Sequence, residues 1–187
     1  MILKVGEANL LRKICRAVCS IVILAIKYIP FTLAMKLRNL CYRYVLKEMG
    51  NSNITDGVTI VHPGKVSIGD RVSIHPHTYL RGEITIGNYV AIAAKCSFVA
   101  ESHNFADVTT PIKLQGIEDQ PISIGNDVWI GAHSIILGNV TIGDGAIIGA
   151  GSVVTKNIAP YSVVMGSPAR VVRNRKNNRD LQEKINQ

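Results

Sequence analysis

The chain has few aromatic residues, a single tryptophan, no C-x-x-C pair, and no long apolar run free of both charge and proline. Each absence excludes something. With aromatics at 5% and residues 51–167 carrying six basic against nine acidic side chains, a nucleic-acid module is excluded. Such a module places basic charge and stacking rings on its folded core. The four cysteines (Cys15, Cys19, Cys41, Cys96) do not form a disulfide framework and read as reduced thiols of a cytosolic protein. The spacing of Cys15 and Cys19 fits one helix face better than half of a metal site. Net positive charge is confined to the ends: nine basic and two acidic residues in 1–50, six and two in 168–187. A content of 47% hydrophobic residues excludes wholesale disorder.

What the chain does have is a repeat. Aliphatic or aromatic residues recur every six positions at Ile68, Ile74, Leu80, Ile86, Ile92 and Phe98. The series resumes at Ile124, Ile130, Ile136, Ile142, Ile148 and Val154. Glycine follows six of the twelve, and two places before each stands a small or β-branched residue such as Val66, Thr78, Cys96, Ser134 or Ser152. A period of six fits neither a helix nor a hairpin. Fixed self-similarity marks a solenoid. Three hexads per coil would stack Ile68 under Ile86, Ile74 under Ile92 and Ile130 under Ile148. The expected fold is an all-β solenoid with a ragged first turn beginning near Ile54.

The two series are out of step, and residues 99–121 lack the repeat. They read as a loop thrown out from the coil, and long loops in compact domains are commonly functional. This one carries Glu101, His103, Asp107, Lys113, Glu118 and Asp119.

Three strings carry a resemblance: Val128-Trp129-Ile130-Gly131-Ala132, Gly143 through Lys156, and Gly166-Ser167-Pro168-Ala169-Arg170-Val171-Val172. Over roughly residues 54–175 the chain resembles the hexapeptide-repeat acyltransferases, most closely the sugar O-acetyltransferases. The resemblance implies a left-handed parallel β-helix, a homotrimer, and acetyl transfer from acetyl-CoA without a metal. Left-handedness comes from the resemblance alone, because general rules favour right-handed crossovers. His103 resembles the family's catalytic histidine. A sugar hydroxyl is a poor nucleophile, and an imidazole can take its proton during attack on the thioester. Glu101 and Asp107 are candidate orienting acids, and sequence does not choose between them. For the donor, the resemblance implies a groove between subunits along the C-terminal coils. Gly131, Ala132 and Ala150 would meet the pantetheine arm, Trp129 would pack on it, and Thr155 and Lys156 lie toward the phosphates. Arg170 and Arg173 would meet those phosphates, whereas Arg175, Lys176 and Arg179 read as a solvated tail. A zinc hydratase of the same fold needs two histidines five residues apart, and none of the five here is so spaced.

Residues 17–35 approach the length of a bilayer span, but Lys27 and Pro30 interrupt them. The apolar residues contribute roughly −3 to −5 kcal/mol to insertion and the lysine opposes it by about 2.5–3.5 kcal/mol. Basic residues lie on both flanks (Lys4, Arg12, Lys13 and Arg16; Lys36, Arg38, Arg43 and Lys47), which sets no orientation. The expectation is a helix pair resting on the cytoplasmic leaflet of the inner membrane, with no cleaved signal. Packing on the body or on sister subunits, and a true span, are the other arrangements.

The chain thus divides into a helical, membrane-associated segment (1–50), a β-helix (51–167) with an extruded loop (99–121), and a basic helix or tail (168–187). The expected function is acetylation of a surface-polysaccharide sugar or its lipid-linked precursor. Serine O-acetylation and a non-catalytic scaffold are the alternatives.

Overall fold

A computed structural model describes residues 2–177. Two helices, α1 (Ile2–Ala25) and α2 (Thr32–Val45), precede a parallel β-solenoid of about six turns. Each coil contributes one short strand to each of three sheets. The first sheet contains Val66–Ile68, Ile84–Ile86 and Ile122–Ile124, the second Ser73–Ile74, Ala91–Ile92 and Trp129–Ile130, and the third Tyr79–Gly82, Ser97–His103 and Ile135–Leu137.

The stacking expected from the repeat is present: Ile68 pairs with Ile86, Ile74 with Ile92, and Ile130 with Ile148. The hexad positions point inward and are almost wholly buried. Their Val and Ile side chains suit parallel strands whose inner face never meets water. The coil starts earlier than expected, at Glu48–Met49, which pairs with the strand Val66–Ile68.

Two ladders hold the corners. On one edge the side-chain oxygen of Asn88 accepts from the Asp70 amide, that of Asn126 from the Asn88 amide, and that of Asp144 from the Asn126 amide. On another, the buried hydroxyls of Thr78, Ser134 and Ser152 donate to corner carbonyls, and Cys96 Sγ donates to the Gly131 carbonyl. These small polar residues satisfy carbonyls that the bend leaves without strand partners. The corners also hold non-glycine residues in the left-handed region, among them Lys95 (φ 60°) and His133 (φ 59°). That conformation costs about 1–2 kcal/mol per residue, and the stacked coils must offset it.

The excursion leaves the register of the coil unchanged. Ile86 pairs with Ile124, 38 positions on instead of 18, so twenty residues are inserted without displacing a rung. The insertion is not wholly irregular. Ser97–His103 runs on past the coil, and Ile117–Asp119 returns antiparallel to it, with His103 opposite Ile117.

Helix α2 closes the first coil. Asn39 Oδ1 accepts from the Ile54 amide, and Tyr42, Val45 and Leu46 join the core. Arg38 is buried and donates from Nη1 to the carbonyls of Ile26 (2.7 Å) and Ile29 (3.0 Å), just beyond the end of α1. A cation is favourable at the negative end of a helix. At the other terminus the expected tail is partly strand. Arg170–Asn174 pairs antiparallel with Ser162–Met165, and Arg175 Nη1 is bound to Asp127 Oδ2 (3.0 Å) and the Gly145 carbonyl (2.6 Å). Lys176 lies over the Tyr161 ring, 4.0 Å from its centre. Arg175 and Lys176 are thus exposed, as a solvated tail would be, but held to the coil by these contacts. Arg179, with the rest of 178–187, lies outside the described residues, as do the side chains of Lys4 and Arg12.

Truncating a rung should be costly. Ile92→Ala is expected to destabilise the protein by about 2–5 kcal/mol, read as a lowered urea midpoint. An unchanged midpoint would mean that the rungs do not carry the core.

Candidate active site

Alternation along Ser97–His103 turns Phe98 and Ala100 inward and Val99, Glu101 and His103 outward. The outer face of the third sheet therefore presents His103 where the strand leaves the coil. There Tyr79, Arg81, Val99, Glu101, Ser102, His103 and Ile117 line a shallow depression of about 280 Å³. His103 is exposed, and among the described residues no carboxylate reaches its ring.

Both candidate orienting acids are engaged elsewhere. Glu101 is nearly enclosed, its side chain 7% exposed. Its Oε1 accepts from His62 Nδ1 at 2.8 Å and its Oε2 from Arg81 Nε at 2.7 Å. Burial pushes this carboxyl up, but the Arg81 hydrogen bond and charge, joined by His62, outweigh that and hold it below the usual range. Asp107 accepts from the Thr109 amide and hydroxyl within its own turn. The Thr109 and Thr110 hydroxyls push its carboxyl down to about 2. A nucleophilic thiol is also missing from the depression. Cys96 is buried inside the coil, and desolvation raises its pKa, which disfavours the thiolate.

The donor-side candidates lie elsewhere. Ala132 and Ala150 sit at the corner that leads into the third sheet, where the Gly151 amide donates to the Ala132 carbonyl. Gly131 is buried, and a Cβ there would lie 2.5 Å from the Ala150 nitrogen. Its lack of a side chain is therefore required by coil stacking. Trp129 is 55% exposed on the second sheet. Register places it in one lateral row with Ile147, Val163 and Arg173. Arg170 is exposed on the same closing strand, and Thr155 and Lys156 are exposed just after Val153–Val154. His103 lies at the far end of its strand from the Ala132 corner. Six residue steps along the strand separate Ser97 from His103, about 20 Å at 3.3 Å per step. One chain therefore does not bring His103 beside Ala132, Ala150 or Trp129.

His62 and Arg81 are the site residues that sequence reading missed. Coil spacing was an available signal for Arg81, which pairs with Val99 and so stands beside the strand of Glu101; it was no signal for His62, because the first coil is longer, with Ile60 opposite Leu80. Among the described residues, no group of three His, Cys, Asp or Glu side chains could hold a metal ion.

Residues 121–156 match the family described as bacterial transferase hexapeptide (six repeats). A Mycobacterium tuberculosis protein named as a probable acetyltransferase is 41% identical over 128 residues, covering 66% of this chain and 42% of the relative. The hexapeptide-repeat-containing acetyltransferase of Vibrio cholerae, solved with acetyl coenzyme A, superposes with a TM-score of 0.73 at 27% identity, covering 87% of each chain. Residues 121–156 thus carry the hexapeptide repeat of bacterial transferases, and the fold as a whole is similar to that of hexapeptide-repeat acetyltransferases. Its solenoid is the left-handed parallel β-helix of these structural neighbours. The galactoside O-acetyltransferase of Escherichia coli is 45% identical over 91 residues, covering 48% of this chain and 43% of the relative. The chain thus spans less than half the length of these two curated relatives.

The Glu101 pairing predicts an acid-sensitive contact. A depressed carboxyl stabilises the fold above its unfolded value of 4.5 and loses that contribution as pH falls through the folded value. The stability advantage of wild type over Glu101→Gln, measured by urea unfolding, should be full at pH 7 and shrink below pH 4.5. An advantage independent of pH would contradict the pairing.

Proposed function

We propose that this chain is an acetyl-CoA-dependent O-acetyltransferase. The acceptor is a hydroxyl of a surface-polysaccharide sugar or its lipid-linked precursor, and His103 is the general base. The observation that carries the reading is an exposed imidazole at the lip of a depression, on the one excursion from a coil whose family relatives are acetyltransferases. The galactoside enzyme among those relatives supports a sugar acceptor.

In this reading His103 accepts the hydroxyl proton as the oxygen attacks the thioester carbonyl. The C–S bond then breaks, the ester is released, and the imidazolium returns the proton to the departing thiolate. Transfer is direct, which agrees with the enclosure of Cys96. A base of this kind contributes typically 10²–10⁴-fold.

The working site is shared between copies in a homotrimer. Two features support this: the separation of His103 from the Ala132 and Ala150 corner, and the exposed apolar side chains Ile135, Leu137 and Trp129 of the coil and Phe105 and Val108 of the excursion. Small residues at that corner suit the pantetheine arm, and Arg170 and Arg173 suit its phosphates. Transfer takes place on the cytoplasmic side, where acetyl-CoA is available.

Transfer from labelled acetyl-CoA to a panel of glycans tests the activity. His103→Ala should lower turnover 10²–10⁴-fold, a barrier about 3–5 kcal/mol higher, with CoA binding by calorimetry unchanged. Near-normal turnover would remove His103 from the mechanism, and a wild-type chain that binds no CoA would be a scaffold. Sedimentation should show three times the chain mass. Co-assembly of His103→Ala with Ala150→Trp should regain part of the activity that each variant lacks alone. Failure to regain any would place the whole site within one chain.

A further inference from the structure

Helix α1 is apolar on two faces. One packs on the body, where Cys19 and Ile23 meet the core. The other leaves Leu10, Ile14, Val18, Ile21 and Leu24 half to three-quarters exposed. These recur at the spacing of one helical stripe. Helix α2 repeats the arrangement: Tyr42 and Val45 are buried, while Leu33, Leu37, Leu40 and Tyr44 form an outward stripe. Tyr28 and Phe31, in the turn between the helices, are also exposed. A monomeric soluble surface rarely shows this much contiguous apolar area without a partner.

The charge around the stripes identifies the partner. Residues 8–47 contain eight basic side chains and no acidic one. Lys27 and Arg38 are engaged internally, by Thr59 and by the carbonyls beyond α1. Lys13, Arg16, Lys36, Arg43 and Lys47 are exposed. At 3.6 residues per turn, Lys36 and Arg43 fall on the flank of the α2 stripe and Lys13 on the flank of the α1 stripe, whereas Arg16 turns toward α2, where its Nε donates to the Tyr44 carbonyl (3.0 Å). A second copy would bring the same cations and no acid to this face. An anionic bilayer offers acyl chains to the stripes and headgroups to their flanks. Among the described residues no helix is long and apolar enough to cross a membrane, so the fit is to its surface.

We propose that the α1–α2 hairpin seats this protein on the surface of an anionic lipid bilayer, with the apolar stripes in the headgroup boundary and the flanking cations on the lipid charges. The proposal is independent of the acetyl-transfer reading and of the catalytic depression.

Flotation of the full chain with vesicles tests it. Protein should float with phosphatidylcholine–phosphatidylglycerol vesicles, not with phosphatidylcholine alone, and high salt should weaken the association. Each basic residue near such a surface is worth about a fivefold change in partitioning, so Lys36→Gln with Arg43→Gln should weaken binding roughly 25-fold. Leu33→Ser with Leu37→Ser should abolish flotation with the circular dichroism spectrum unchanged. No flotation of wild type with either vesicle would overturn the proposal. So would a change in sedimentation caused by the leucine pair, which would make the stripe a contact between copies of this chain.

Discussion

Every coil must lay its aliphatic rung on the rung before it, and the other features of the solenoid follow from that requirement. A rung shifted by one residue would turn its side chain to solvent. The 18-residue repeat, the closed glycine corners and the ladders of Asn and Asp all serve to return the chain to the same column. The same requirement explains why the long excursion is tolerated. Loop closure grows costly only slowly with length, and twenty added residues change nothing below or above once Ile124 settles on Ile86. The catalytic candidate thus stands on a segment free of packing duty, carried by a strand that has none of that freedom.

Much of this was legible in the sequence because a rung is a periodic object. Ile68, Ile74 and Ile130 could be assigned partners from spacing alone, and the break after Phe98 located the excursion. Two things escaped. The early coils are longer, with Thr59 opposite Tyr79 twenty residues on, so the rhythm that places later residues does not place His62. Glu101 and His103 share a strand face, as alternation requires, yet sharing a face does not make a hydrogen bond. The carboxylate turns instead to Arg81 and His62 on the preceding coils. That pairing is hidden in the sequence because lateral neighbours, about 4.8 Å away across a parallel sheet, are distant in the chain.

The helices illustrate a different limit. Apolar content announced that residues 17–35 must be covered by something, but it does not separate the side of a helix that meets its own body from the side that does not. Coordinates make that separation: Cys19 and Ile23 face the core, and Ile21 and Leu24 face away. Arg38 shows why composition misleads here as well. Counted among the flanking cations, it is in fact enclosed, holding the carbonyls beyond the end of α1.

A stack of parallel coils has no intrinsic reason to stop, since its last strands offer unpaired amides and carbonyls to any further strand. Here the two ends are dressed differently. Helix α2 lies across the first coil through Asn39, Tyr42 and Val45. At the opposite end, Arg170–Asn174 reverses direction on Ser162–Met165 and carries two arginines along the outermost edge of that sheet. A polypeptide arriving there meets a strand of the wrong polarity and a row of positive charge. On that sheet the addition of a further parallel strand, the hazard of any architecture built by repetition, is thereby disfavoured.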